Sequence, residues 1–416
     1  MLPMPRLPAL LVASLVIALG LLAAPAARAQ VLGPVRRLPV PQLPGVGLPG
    51  LPSTPLGPRI DDLRRTTQAL TRRLQIDTLL RQQPQRVAVD PQGQPVLRGE
   101  FLATGLTDAQ RDAVQAQGFA ADSQTPDDAA LGLDLVVLHD TRGRNEADAM
   151  RTLQKTAPGA VFAYQHLYLP AGGGDAVGDH PTTARPSTGT PRRVGLIDGG
   201  VDATDPALAH ARIVDHGCAK PAGSRHGTAV AARLVDGDSD TLYAADLWCS
   251  DTVGGATSNL VDALGWMARE HVPVINISLV GPDNPVLARA VQAMIARGHV
   301  LVAAVGNDGP AAPPLFPAAY PGVIGVSGVD AHDRILPESG SGDQVAFCAL
   351  GVVGKGYRAM RGTSFAAPIV ARSAARWLDA PHADAAAQVR QRLDAEARDL
   401  GPPGRDPRYG DGLLSP

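Results

Sequence analysis

Cysteine, lysine and aromatic residues are scarce in this chain of 416 residues: three Cys, three Lys among 38 basic residues, and 4% Phe, Trp and Tyr together. No pair of cysteines has metal-ligand spacing, and an odd count leaves one thiol outside any disulfide. The three lysines (Lys155, Lys220 and Lys355) reflect compositional bias and not recognition. A formal net charge of −2 singles out no class of partner and gives no electrostatic footprint for nucleic acid. Beyond residue 29 no apolar run is long enough to cross a bilayer.

What is present at the amino terminus belongs to export. Residues 1–29 hold Arg6, an apolar run from about Leu7 to Leu22 and the small-x-small site Ala27-Arg28-Ala29. This pattern predicts a signal peptide cleaved before Gln30; an uncleaved membrane anchor is the other reading of the same run. No Cys follows to carry a lipid. Export, to a periplasm or the medium, permits one disulfide. Cys218–Cys249 is the favoured pair, because Cys348 sits in the apolar run Val345-Ala346-Phe347-Cys348-Ala349-Leu350.

Residues 30–58 carry eight prolines, from Pro34 to Pro58, and predict an extended linker. Ile60, Leu63, Leu70 and Leu74 follow a three-four spacing, predicting an amphipathic helix over 59–83 with an arginine-rich opposite face. Residues 84–170 form the next unit. From Val96 to Leu169 the pattern reads strand, helix, strand, strand, helix, strand, with Thr107 as a helix cap. That order is the ferredoxin-like, split-βαβ arrangement. Residues 171–190, rich in Gly, Pro, Thr and Asp, predict an exposed linker and a place for proteolytic cleavage, bounded upstream by Tyr168-Leu169-Pro170. About 225 residues, 191–416, remain for one larger domain.

Three segments of that domain carry chemistry. Arg193-Val194-Gly195-Leu196-Ile197-Asp198 reads as a buried parallel strand delivering Asp198 at its carboxyl end, where open α/β sheets place their sites. His226-Gly227-Thr228-Ala229 opens a small-residue helix. Gly362-Thr363-Ser364-Phe365-Ala366-Ala367-Pro368 puts a hydroxyl on a turn at a helix start, with Pro368 expected in the first turn. Alone, each has a plain structural reading: a turn former, a loop histidine, an N-cap. Together, an acid, a base and a nucleophile in the order Asp, His, Ser make a catalytic set.

With Val274-Ile275-Asn276-Ile277-Ser278-Leu279, Ala303-Ala304-Val305-Gly306-Asn307-Asp308-Gly309 and Tyr409-Gly410-Asp411-Gly412-Leu413-Leu414 between and after them, these motifs make residues 191–416 resemble the subtilisin-like serine proteases (subtilases, peptidase family S8). The His motif departs from the family at Ala229, where a second His is usual, and the Ser motif is close to the family pattern. The resemblance implies an α/β, three-layer fold with a mostly parallel sheet between helices. It also implies that the preceding small α+β ferredoxin-like domain acts as a propeptide, an intramolecular inhibitor and folding aid. An accessory domain that stays attached is the alternative.

The resemblance further implies a serine endopeptidase acting on polypeptides and made as a self-processing precursor. Asp198, His226 and Ser364 would be the triad and Asn307 an oxyanion donor. Substrate would pair with Ser278, Leu279, Val280 and Gly281, and Ala304 and Gly306 would wall the S1 pocket, which favours an apolar P1 side chain. No cofactor is required. Structural calcium, common in the family, is unassigned, because Asp236, Asp238 and Asp240 read as a solvated turn. A lipase or esterase fits less well, since Ala366 stands where its Gly-x-Ser-x-Gly elbow needs the second Gly. A catalytically silent binding or scaffold protein on the same fold is the alternative from another class.

Overall fold

The computed structural model describes residues 72–122, 126–171, 191–235, 240–354 and 360–415. The expected export segment, the proline-rich stretch, residues 59–71 of the expected first helix, residues 172–190 and Asp236 and Asp238 lie outside them.

Helix α1 covers residues 72–82. Strands β1 (Val87–Val89) and β2 (Pro95–Thr104) lead into helix α2 (Asp108–Ala116) and β3 (Phe119–Ala121). Then come α3 (Pro126–Ala130), β4 (Leu135–Asp140), α4 (Glu146–Thr156), β5 (Val161–His166) and the short β6 (Leu169–Pro170). Thr107 caps α2 in a capping box with Gln110, and Asn145 caps α4 by accepting from the Asp148 amide. The antiparallel ladders place the strands in the order β5–β2–β4–β3, which is the split-βαβ order, with β1 alongside the first residues of β2. Strand β1 and helix α3 were not expected; both are too short to leave a period in the sequence.

The larger domain comprises β7 (Arg193–Asp198), β8 (Arg212–His216), α5 (Arg225–Leu234), β9 (Thr241–Asp246), α6 (Thr257–Arg269) and β10 (Val274–Ile277). These are followed by β11 (Leu279–Val280), α7 (Pro285–Ala296), β12 (Val300–Ala304), β13 (Ile324–Val329) and β14 (Val345–Leu350). The hairpin β15 (Val352–Val353) and β16 (Met360–Arg361) precedes α8 (Thr363–Ala375) and α9 (Ala385–Glu396). Seven strands form one sheet in the order β14–β13–β12–β10–β7–β9–β8, and every pair is parallel. The tail closes beside β14, where the Leu414 amide donates to the Cys348 carbonyl.

Both faces of the sheet are covered, which is why its strands read as continuous apolar runs. Along β12, Val300, Val302 and Ala304 pack with α5, α8 and α9, while Leu301 and Ala303 pack with α6 and α7. The smaller sheet is likewise two-faced. Phe101, Ala103 and Leu138 meet α2 and α4. Leu102, Leu135 and Ala163 join the α6 and α7 side of the larger core. Polar contacts cross this junction: Arg86 forms a two-pronged pair with Asp251 (2.8 and 2.7 Å), and Asn284 donates to His166 Nδ1 (3.0 Å). Cys218 and Cys249 form a disulfide, and Cys348 is a buried free thiol whose pKa burial pushes up to about 12.

Candidate active site

The site lies at the carboxyl ends of the parallel strands, where successive loops leave the sheet. Asp198 ends β7, fully buried, and its Oδ1 accepts from the Gly199 amide (2.7 Å) and from His226 Nδ1 (2.8 Å). A carboxylate only accepts, so His226 Nδ1 is the donor in this bond and carries a hydrogen. Nε2 is buried and has no hydrogen-bond partner among the described residues.

Helix α5 is held against β7 by close backbone approach. Ser224 caps it by accepting from the Gly227 amide (2.9 Å). A side chain at Gly227 would bring its Cβ within 2.2 Å of the Gly199 carbonyl oxygen, so only glycine fits.

Ser364 is the second residue of α8, after Gly362 in a left-handed conformation (φ 146°). The His226 ring lies 5.3 Å, centroid to centroid, from the ring of the next residue, Phe365. Pro368 is the sixth residue of α8, not part of the first turn as expected. At that position a backbone N–H would donate to the Ser364 carbonyl, and proline has none. Ser278 Oγ donates to that carbonyl instead (3.0 Å), and receives in turn from Asn276 Nδ2 (2.9 Å). The Ser364 hydroxyl donates to the Ser278 carbonyl (3.1 Å) and makes no hydrogen bond to His226.

Asn307 follows β12. Its Oδ1 accepts from the Thr363 amide (3.0 Å), which fixes the side-chain amide and turns Nδ2 toward the Ala171 carbonyl, to which it donates. The Ser364 amide donates to the same carbonyl oxygen (3.3 Å). Thr363 Oγ1 accepts from the Gly306 amide (3.1 Å), locking the Asn307 loop onto the start of α8.

The Ala171 carbonyl is carried there by a strand. β6 pairs antiparallel with β11, Leu169 opposite Val280 and Pro170 opposite Leu279. The Ala171 amide donates to the Ser278 carbonyl (3.0 Å) and the Tyr168 amide to the Gly255 carbonyl (2.8 Å). Ala171, expected in the linker, thus belongs to the docked segment: its small side chain is buried and both of its polar backbone groups are paired.

Ser278, Leu279 and Val280 therefore line the docked segment. Gly281 exchanges backbone hydrogen bonds with Phe316 and abuts the Tyr168 ring, where an added Cβ would approach to 2.6 Å. Ala304 is buried in β12, and Gly306 faces Leu315 and Val280. Thr363 and Gly255 went unrecognised in the sequence because their roles are set by loops distant along the chain. Asp127, His216 and Asp262 also converge. Arg269 pairs with Asp127 (2.5 Å) and Asp262 with His216 (2.8 Å).

Fold and site together define an α/β protein with an acid–base pair and a hydroxyl at a helix start, grouped at the carboxyl edge of a parallel sheet. The model of the subtilase family matches residues 190–412, and the chain belongs to that family. Subtilisin DY of Bacillus licheniformis is 32% identical over 246 residues, covering 54% of this chain and 88% of that protein. Subtilisin amylosacchariticus of Bacillus subtilis subsp. amylosacchariticus is 31% identical over 252 residues, 55% of this chain. The chain spans 65% of that relative's length. Among solved structures, fervidolysin from Fervidobacterium pennivorans, a keratinolytic enzyme related to subtilisin, superposes with a TM-score of 0.61 at 17% identity. The likeness covers 79% of this chain and 61% of fervidolysin, so it extends beyond residues 190–412 and shows a shared fold.

Proposed function

We propose that the chain is an exported serine endopeptidase, made as a precursor that processes itself, with residues 84–170 as its intramolecular inhibitor and folding aid. One observation carries this reading. Two donors fixed to the larger domain, the Ser364 amide and Asn307 Nδ2, converge on a single peptide carbonyl oxygen. That is the geometry needed to stabilise the oxyanion of a tetrahedral intermediate.

In this reading Ser364 Oγ leaves the Ser278 carbonyl by rotation about χ1 and attacks the peptide carbonyl carbon. His226 Nε2 takes the hydroxyl proton and returns it to the leaving amine, while Asp198 holds the Nδ1–H tautomer and stabilises the imidazolium. Water then repeats the sequence on the acyl-enzyme. The positive end of α8 adds to the field at the developing oxyanion. Substrate binds as an added strand along Ser278–Val280.

The Ser364 hydroxyl directed at Ser278 favours a second reading, a catalytically silent subtilase fold that binds peptide strands. Casein hydrolysis separates the two. Wild type is expected to hydrolyse casein, and Ser364→Ala and His226→Ala to lose at least about 10⁴-fold in turnover. Equal activity in all three, or none in wild type, overturns the endopeptidase reading. For export, Ser364→Ala, which stays uncut in this reading, is expected to be recovered outside the cytoplasm with its amino terminus at Gln30.

A further inference from the structure

The segment docked in the site belongs to the chain itself, and its placement says which bond is cut and what selects it. Ala171 holds its carbonyl between the two oxyanion donors, its amide on Ser278 and its side chain in the larger core. Three residues upstream, Tyr168 is among the largest fully buried side chains of the protein, with 0% exposure. Its recess exists because two positions lack a side chain. An added Cβ would lie 2.0 Å from the Tyr168 carbonyl oxygen at Gly255, and 2.6 Å from the Tyr168 ring at Gly281. At the floor of the recess the Tyr168 hydroxyl donates to the Pro282 carbonyl (2.7 Å). Leu169 and Pro170, between these anchors, are only half-buried.

We propose that the chain cuts itself on the carboxyl side of Ala171, and that the Tyr168 phenol selects this bond. The site then takes as substrates segments of the form Tyr-x-x-small, distinguishing Tyr from Phe through the Pro282 carbonyl. The proposal rests on the endopeptidase reading. Ser364 Oγ bonds to the Ala171 carbonyl carbon, and its proton passes to His226 Nε2. The bond to the Gly172 nitrogen breaks, and that nitrogen leaves as an amine with the His226 proton. Water, deprotonated by His226, displaces Ser364 Oγ, which regains a proton. The products are an Ala171 carboxylate and a Gly172 amine, with no other reactant.

An apolar recess alone discriminates weakly, by about 10–200-fold between side chains differing by small apolar groups. A buried carbonyl that loses its donor adds a penalty for a Phe that fills the same space. The Tyr form is therefore expected to react about tenfold faster than the Phe form and about 100-fold faster than the Ala form.

The test uses the full chain. Intact-mass analysis of purified wild type and Ser364→Ala is paired with an internal competition, in which processed wild type consumes an equimolar mixture of acetylated peptides. These contain Tyr-Leu-Pro-Ala-Gly, Phe-Leu-Pro-Ala-Gly or Ala-Leu-Pro-Ala-Gly. Consumption ratios do not depend on how much enzyme is free of its amino-terminal fragment, and the peptides avoid a Tyr168 variant that fails to fold. The expected result is a carboxyl-terminal fragment beginning at Gly172, absent in Ser364→Ala, with the ratios above. Ser364-dependent cleavage at another bond, or equal consumption of the Tyr and Phe peptides, overturns the proposal and leaves the endopeptidase reading standing. If nothing is cleaved in a Ser364-dependent way, the endopeptidase reading falls, and the proposal with it.

Discussion

Pro368 leaves the Ser364 carbonyl without its helical donor, and the Ser278 hydroxyl takes that place at 3.0 Å. The same serine's carbonyl accepts both the Ser364 hydroxyl and the Ala171 amide. One residue of the strand-to-loop junction after β10 therefore holds the Ser364 backbone, its side chain and the seat of the docked segment.

Ser278→Ala removes only the hydroxyl and orphans the buried Ser364 carbonyl. Such a loss costs about 1–3 kcal/mol. Urea melts are expected to show that drop in stability, with a loss of turnover larger than any change in KM, because the Ser364 backbone is less well held. Unchanged stability and turnover would show that the helix does not need this donor.

Asn307→Ala deletes a donor to the peptide carbonyl and an acceptor for the Thr363 amide. Loss of one oxyanion donor costs about 10²–10³ in kcat. Steady-state kinetics on a short peptide should show that loss with KM nearly unchanged and the fold retained by circular dichroism. A change confined to KM would make Asn307 a ground-state contact only.

The Arg86–Asp251 pair ties the smaller domain to the larger one. The hydrogen bonds from Arg86 hold the Asp251 pKa down to about 2. The ordinary value, about 3.9, applies once the domains separate. A depressed carboxylate favours the docked state above about pH 4, and this contribution fades as pH falls through about 2. Both side chains are substantially exposed, so the effect is small, about 0–1 kcal/mol and weaker in high salt. Urea melts of wild type and Asp251→Asn at low ionic strength are expected to differ at about pH 5 and to converge toward about pH 2. A gap that widens on acidification would have the wrong sign.

Most of the larger domain was legible in the sequence because its chemistry is local. Strand β7 announces itself as an apolar run ending in Asp198, and the helix starts at His226 and Ser364 lie inside short motifs. The split-βαβ order of the smaller domain could be read from alternation and from the cap at Thr107. What escaped depends on contacts between distant residues. The docked position of Ala171, the recess that Gly255 and Gly281 leave for Tyr168, and the loop locked by Thr363 all join segments that no periodicity connects. Pro368 was read as a first-turn residue because composition alone does not show that Ser278 supplies the missing donor.

The most direct measurement is intact-mass and peptide mapping of wild type and Ser364→Ala after exposure to a serine-directed fluorophosphonate, once self-cleavage is complete. The account predicts one adduct in wild type, on the peptide containing Ser364, and none in Ser364→Ala. An unlabelled wild type, or an adduct on another residue in both proteins, would contradict the claim that Asp198, His226 and the two oxyanion donors serve Ser364.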